Sequence, residues 1–109
     1  MKIIINKYLP IGKNFYAINL FGILFAKGKC DARIINHEMI HTAQIKELLF
    51  IGFYLFYVLE WFVLLLRLRN NNKAYNNISF EREAYSNESN LNYLKTRKRF
   101  AFLKYLGDK

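Results

Sequence analysis

The chain has 109 residues, 53% of them hydrophobic and 17% aromatic, with a net charge of +9 from 17 Lys and Arg against 8 Asp and Glu. That length suits one domain with a modest core and excludes two, while the basic balance favours anionic partners without choosing among lipid, nucleic acid and acidic protein. A lone cysteine, Cys30, excludes an internal disulfide framework and reads as a small buried residue or as a thiolate capping a metal in a latent form.

The first stretch, "MKIIINKYLPIG", holds an apolar run too short for an export signal. The expected location is therefore intracellular, either cytoplasmic or peripheral to the inner face of the membrane. Lys2 to Asn6 is β-branched and predicts a strand ending near a Pro10-Ile11-Gly12 turn. Phe15 to Lys27, "FYAINLFGILFAK", predicts one bent strand or a tight pair of strands around Gly22. Residues 1–30 thus form a small antiparallel sheet. Asp31 is placed to cap a helix. From Ala32, positions Ile34, His37, His41, Gln44 and Leu48 recur at spacings of three and four, so they share one helix face. No proline interrupts this pattern before about Arg69, and Gly52 is its weakest point, so residues 31–69 read as a helix with a long apolar extension. "RNNNKAYNN" is polar and reads as a loop. Residues 77–94 predict a further helix started by Asn77 or Ser79, and 95–109 a basic, aromatic tail with a short final helix. The expected class is α+β, as a single domain.

The chain's two histidines stand in "NHEMIHTAQ", four apart, with Glu38 after the first. Residues i and i+4 of a helix project from one face a turn apart. Two imidazoles there can reach one zinc ion, and the intervening carboxylate can take a proton from water at the ion's open position. Met39 and Ile40 are expected to face the core. Downstream, "SFEREAY" offers carboxylates at Glu81 and Glu83; helical spacing groups Glu81 with Tyr85 and Glu88 on one face and sets Glu83 on another.

With "HEMIH" on one helix and "EREAY" on a later one, the chain resembles the gluzincin branch of zinc metallopeptidases over about Phe15 to Tyr93. The resemblance implies His37 and His41 as imidazole ligands, Glu38 as general base, Glu81 as third ligand and Zn2+ as cofactor; Glu83, on the other face, is the rival third ligand. Where the pattern has an Asp that supports a ligand histidine, this chain has Tyr85, whose hydroxyl is the expected substitute. Gln44, one turn after His41, is either a second support for the imidazoles or an ordinary solvated side chain. The resemblance also implies that a peptide or protein substrate lines up along the strand before the zinc helix, here Tyr16 to Lys27.

Leu48 to Leu66, "LLFIGFYLFYVLEWFVLLL", carries one charge, Glu60, and is long enough to cross a bilayer. A single crossing would put His41 and Glu81 on opposite sides of the membrane, so one zinc site and one span exclude each other. The expectation is a single long helix continuing from the zinc helix, covered by the sheet, the later helix and either lipid or a second copy in a homodimer. Lys95, Arg97, Lys98, Arg99 and Lys104 interleave with Phe100, Phe102 and Tyr105. They could meet an anionic membrane surface or nucleic acid, the latter disfavoured, or form a solvated face with its aromatics packed inward. The expected activity is peptide-bond hydrolysis by a zinc-activated water at a membrane-associated protein. The competing reading is a non-catalytic membrane-associated adaptor whose zinc site is structural or incidental.

Overall fold

A computed structural model describes residues 2–8 and 16–106. The turn expected at Pro10-Ile11-Gly12, the strand start at Phe15 and the last residues of the tail lie outside the described residues. The described chain is α+β: strands β1 (Lys2–Ile5), β2 (Ala17–Leu20) and β3 (Ile23–Ala26), then helices α1 (Ala32–Glu47), α2 (Ile51–Leu68), α3 (Asn71–Asn77), α4 (Ser79–Asn87) and α5 (Tyr93–Thr96), and a 3-10 turn at Ala101–Tyr105.

β2 and β3 form the tight pair that Gly22 announces, antiparallel, with Leu20 opposite Ile23. Both turn residues have positive φ, Phe21 at 54° and Gly22 at 89°, the backbone twist that joins strands through two residues. The expectation of an all-antiparallel sheet is corrected at β1, which pairs parallel to β3, so the order is β1-β3-β2. β3 carries fully buried Leu24 and Ala26 and takes the centre. β1 must then add on its far side, which leaves β2 as an edge. Asn19 fastens that edge to α1, its amide donating to the Glu38 carbonyl at 2.9 Å and to Thr42 Oγ1 at 2.7 Å.

Asp31 caps α1 as expected, Oδ1 accepting from the Ile34 amide at 2.8 Å. The single long helix is corrected: α1 ends at Glu47 and α2 starts at Ile51, so the weak point lies before Gly52. The Phe50 and Leu49 amides donate back to the Ile45 and Lys46 carbonyls at 2.8 and 3.3 Å, closing the helix end as a left-handed residue usually does. Leu49 and Phe50 both take positive φ, 56° and 67°. Ile51 then donates to the Leu49 carbonyl at 2.8 Å, a three-residue turn with Phe50 at its centre. This reversal lays α2 back along the domain.

The asparagine run is likewise a helix and not a loop. Asn70 caps α3 by accepting from the Lys73 amide at 3.0 Å, the role short polar side chains fill best. α3 and α4 meet at Ile78. The expected 77–94 helix stops at Asn87, and turns lead to α5. The core is Ile45, Phe53, Ile78, Phe80 and Phe102, with Phe56 and Tyr57 packed against it. Phe80 meets Phe53 at 4.5 Å and Phe102 at 4.6 Å between ring centroids. Phe102 thus turns inward, as does Arg97, while Lys95, Lys98, Arg99 and Lys104 stay exposed. Cys30 is half-buried, and burial together with Glu38 and Asp31 pushes its thiol up.

Candidate metal centre

α1 presents His37 and His41 side by side with ring centroids 4.8 Å apart, and both are buried. Each imidazole has its Nδ1 engaged. That of His37 lies 2.8 Å from Glu88 Oε1 and that of His41 lies 2.7 Å from Gln44 Oε1. Both partner atoms are acceptors, so in the neutral imidazoles each Nδ1 carries the proton and each Nε2 presents its lone pair. Those two Nε2 atoms converge at 3.1 Å. The third member of the constellation comes from α4: Glu81 Oε1 lies 3.3 Å from His37 Nε2 and 3.1 Å from His41 Nε2. Three acceptor atoms so close repel one another unless a positive charge sits among them. Donors held at 2.0–2.1 Å around a tetrahedral ion stand about 3.3 Å apart, so the donor set fits such an ion.

Glu38 completes the cluster. The ligand atoms of His37, Glu38 and His41 lie within 4.8 Å of one another, and this buried group could hold a metal ion. Glu38 Oε2 is 3.9 Å from His37 Nε2, farther than the 3.3 Å that separates Glu81 Oε1 from the same atom. Burial raises the Glu38 carboxyl above its ordinary value, only partly offset by His41 and His37. Burial also pushes Glu81 up and His41 down, but their mutual attraction outweighs it. Glu81 is held well below the carboxylate range, and His41 is pushed up to about 10 in the absence of a metal.

Comparison with family models, curated proteins and solved structures gives no match to this chain.

The surroundings correct the sequence reading in places. Tyr85 packs edge-on against His37 at 4.5 Å and its hydroxyl lies 3.5 Å from that of Tyr75; the Nδ1 partner of His37 is Glu88. Nothing in "EREAY" marks Glu88; the signal was its place on the Glu81 face, seven residues on. Asn36 holds the turn that carries it, donating to the carbonyls of Glu88 and Asn90 at 2.8 and 3.0 Å. Gln44 is fully buried: its oxygen faces His41 and its amide donates to Phe80 O at 3.1 Å and Glu83 Oε1 at 3.0 Å. Glu83 does not reach the histidines. It pairs with Arg97, which also grips Glu47 through two bonds of 2.9 and 3.0 Å. Tyr57, hidden in the apolar stretch, donates to Glu81 Oε2 at 2.7 Å. Met39, expected to face the core, is 40% exposed, while Ile40 is buried; the helix turns that far between adjacent positions.

A cleft opens over the cluster. Its polar half, about 420 Å³, is lined by Arg33, His37, Glu38, Tyr85 and Glu88. Its apolar half, about 560 Å³, is lined by Ile18, Phe53, Tyr54, Tyr57 and Trp61. Ala17, Glu38, Asn71 and Tyr75 border both halves. The edge strand β2 is thus one wall, α3 the other and the imidazoles the floor.

Proposed function

We propose that this chain is a zinc metallopeptidase of the gluzincin kind, with His37, His41 and Glu81 as ligands and Glu38 as general base. The observation that carries the reading is the mutual spacing of His37 Nε2, His41 Nε2 and Glu81 Oε1, 3.1 to 3.3 Å. Two imidazoles and one carboxylate with an open fourth position are the donor set of hydrolytic zinc, whereas structural zinc closes all four. When bound there, zinc acidifies a water and polarises the scissile carbonyl.

The chain's own groups supply the rest. Glu38, with Oε2 3.9 Å from His37 Nε2 and a carboxyl raised by burial, would be placed to take a proton from a bound water and pass it to the leaving amine. Gln44 and Glu88 hold the imidazoles in the tautomer that points both Nε2 lone pairs inward. Tyr57 fixes the second oxygen of Glu81. Tyr75 borders both halves of the cleft with its hydroxyl 3.5 Å from that of Tyr85; burial and Glu81 push that hydroxyl up, so it stays protonated. Support for a peptide substrate comes from β2. Asn19 and Ala17 alternate with the residues whose backbone faces β3, so Ala17 turns its amide and carbonyl to the cleft, where an extended peptide can add as a strand.

Glu38→Gln tests the reading. It should bind zinc as the wild type does yet lose turnover of a fluorogenic peptide library. If wild type and variant both bind zinc and neither cleaves, the non-catalytic adaptor replaces the peptidase.

A further inference from the structure

We infer that the outer face of α2, together with the apolar knuckle formed by Phe21, Leu49 and Phe50, docks flat on an anionic lipid bilayer. The inference stands on the surface alone and holds whether or not the cleft hydrolyses peptides.

α2 has two unlike faces. The inner one is tied to the domain by the Tyr57–Glu81 hydrogen bond and by Glu60, whose two oxygens accept from the Ser79 amide at 3.0 Å and hydroxyl at 2.7 Å. The outer one is a stripe at spacings of four, three, one, three and four: Ile51, Leu55, Val58, Leu59, Phe62 and Leu66, each 51 to 68% exposed. At about 1.5 Å per residue it runs roughly 23 Å, a far longer continuous apolar face than a soluble surface normally leaves to water. α2 is long and apolar enough to cross a membrane by length and composition. Crossing would break the ties of its inner face, whereas lying in the interfacial plane buries the stripe and keeps them.

At the start of the stripe the knuckle adds a second observation. Phe21, Leu49 and Phe50 hold positive φ, conformations that cost side-chain-bearing residues and that Gly or Asn would take more readily. Yet all three are large and apolar, Leu49 is 82% exposed, and the rings of Phe21 and Phe50 stack at 6.3 Å. Strain kept on exposed apolar side chains points to a contact that uses those side chains.

Charge decides the occupant. The stripe has no ionised group, Lys46 and Arg69 stand exposed beyond its two ends, and the whole chain carries +9. A second copy would set +9 against +9, while an anionic bilayer attracts this charge and receives the apolar stripe at once.

Vesicle co-sedimentation tests the inference. The wild type should pellet with phosphatidylcholine–phosphatidylserine vesicles, with the bound fraction falling on pure phosphatidylcholine and in high salt. The double variant Leu59→Glu, Phe62→Glu should bind roughly tenfold more weakly with an unchanged circular dichroism spectrum. Lys46→Glu with Arg69→Glu should lose most of the preference for the anionic lipid. Wild type that stays in solution with both vesicles, or acidic stripe variants that pellet undiminished, would overturn it. So would a dimer that the stripe variants turn into monomers while neither form binds vesicles.

Discussion

Glu88 is the residue whose removal tests the site's architecture most sharply, because it touches the proposed metal only through His37. Its Oε1 lies 2.8 Å from His37 Nδ1, and its other oxygen pairs with Arg33. Glu88→Gln keeps an acceptor for the imidazole N–H but removes the carboxylate charge beside it; Glu88→Ala removes both and leaves the ring free to turn. Outer partners of this kind are worth roughly 10–100-fold in metal affinity, which is ~1.4–2.7 kcal/mol. Glu88→Gln should fall near the lower bound and Glu88→Ala near the upper. The backbone of this turn is held separately by the Asn36 amide, so both variants should fold, and circular dichroism checks that. The assay is competition for zinc with a chromophoric chelator. Alanine affinity within twofold of wild type would show that Glu88 does not orient a ligand, and the tautomer argument would fall with it.

Other expectations follow from particular contacts. Glu38 has a folded-state pKa raised above its ordinary 4.5 by burial, so its favourable contribution is complete below 4.5 and fades as pH rises through the folded value. Metal-free Glu38→Gln should therefore gain thermal stability over wild type progressively from acid to neutral pH; a difference independent of pH would refute this. Arg97, with a side chain only 5% exposed, is shared by half-buried Glu47 and buried Glu83. Arg97→Met should cost ~3–5 kcal/mol in urea unfolding by leaving two carboxylates without their cation, and a loss under 1 kcal/mol would mean the network is solvated. Leu49 at φ 56° is 82% exposed, so Leu49→Gly relieves strain at little loss of burial. It should stabilise the chain by about 0.5–1 kcal/mol, the left-handed penalty less the entropy of glycine; a lower melting temperature would show the turn unstrained.

The parts of this molecule legible in its sequence were those set by local rules. Asp31 as a cap, the i and i+4 histidines and the turn at Gly22 need only near neighbours in the chain. So did the α+β class and the grouping of Glu81 with Glu88 apart from Glu83. The break between α1 and α2 was hidden because its left-handed positions are Leu49 and Phe50, not the Gly or Asn that usually mark them. α3 was hidden because asparagines have modest helix propensity, and only Asn70 in the capping position reveals what they do. The parallel β1–β3 pairing depends on where a distant strand docks. Tyr57 reaching Glu81, and Glu88 standing where Tyr85 was expected, are contacts across 24 and 51 residues, beyond any periodicity.

The most direct test of the central claim is zinc stoichiometry and coordination, measured by metal analysis and X-ray absorption on wild type and Glu81→Ala. The account predicts one zinc per wild-type chain, with two nitrogens and one carboxylate oxygen at about 2.0–2.1 Å, and loss of most of that zinc from the alanine variant on dialysis. A wild-type chain that retains no zinc, or a Glu81→Ala chain that retains as much as wild type, would contradict it.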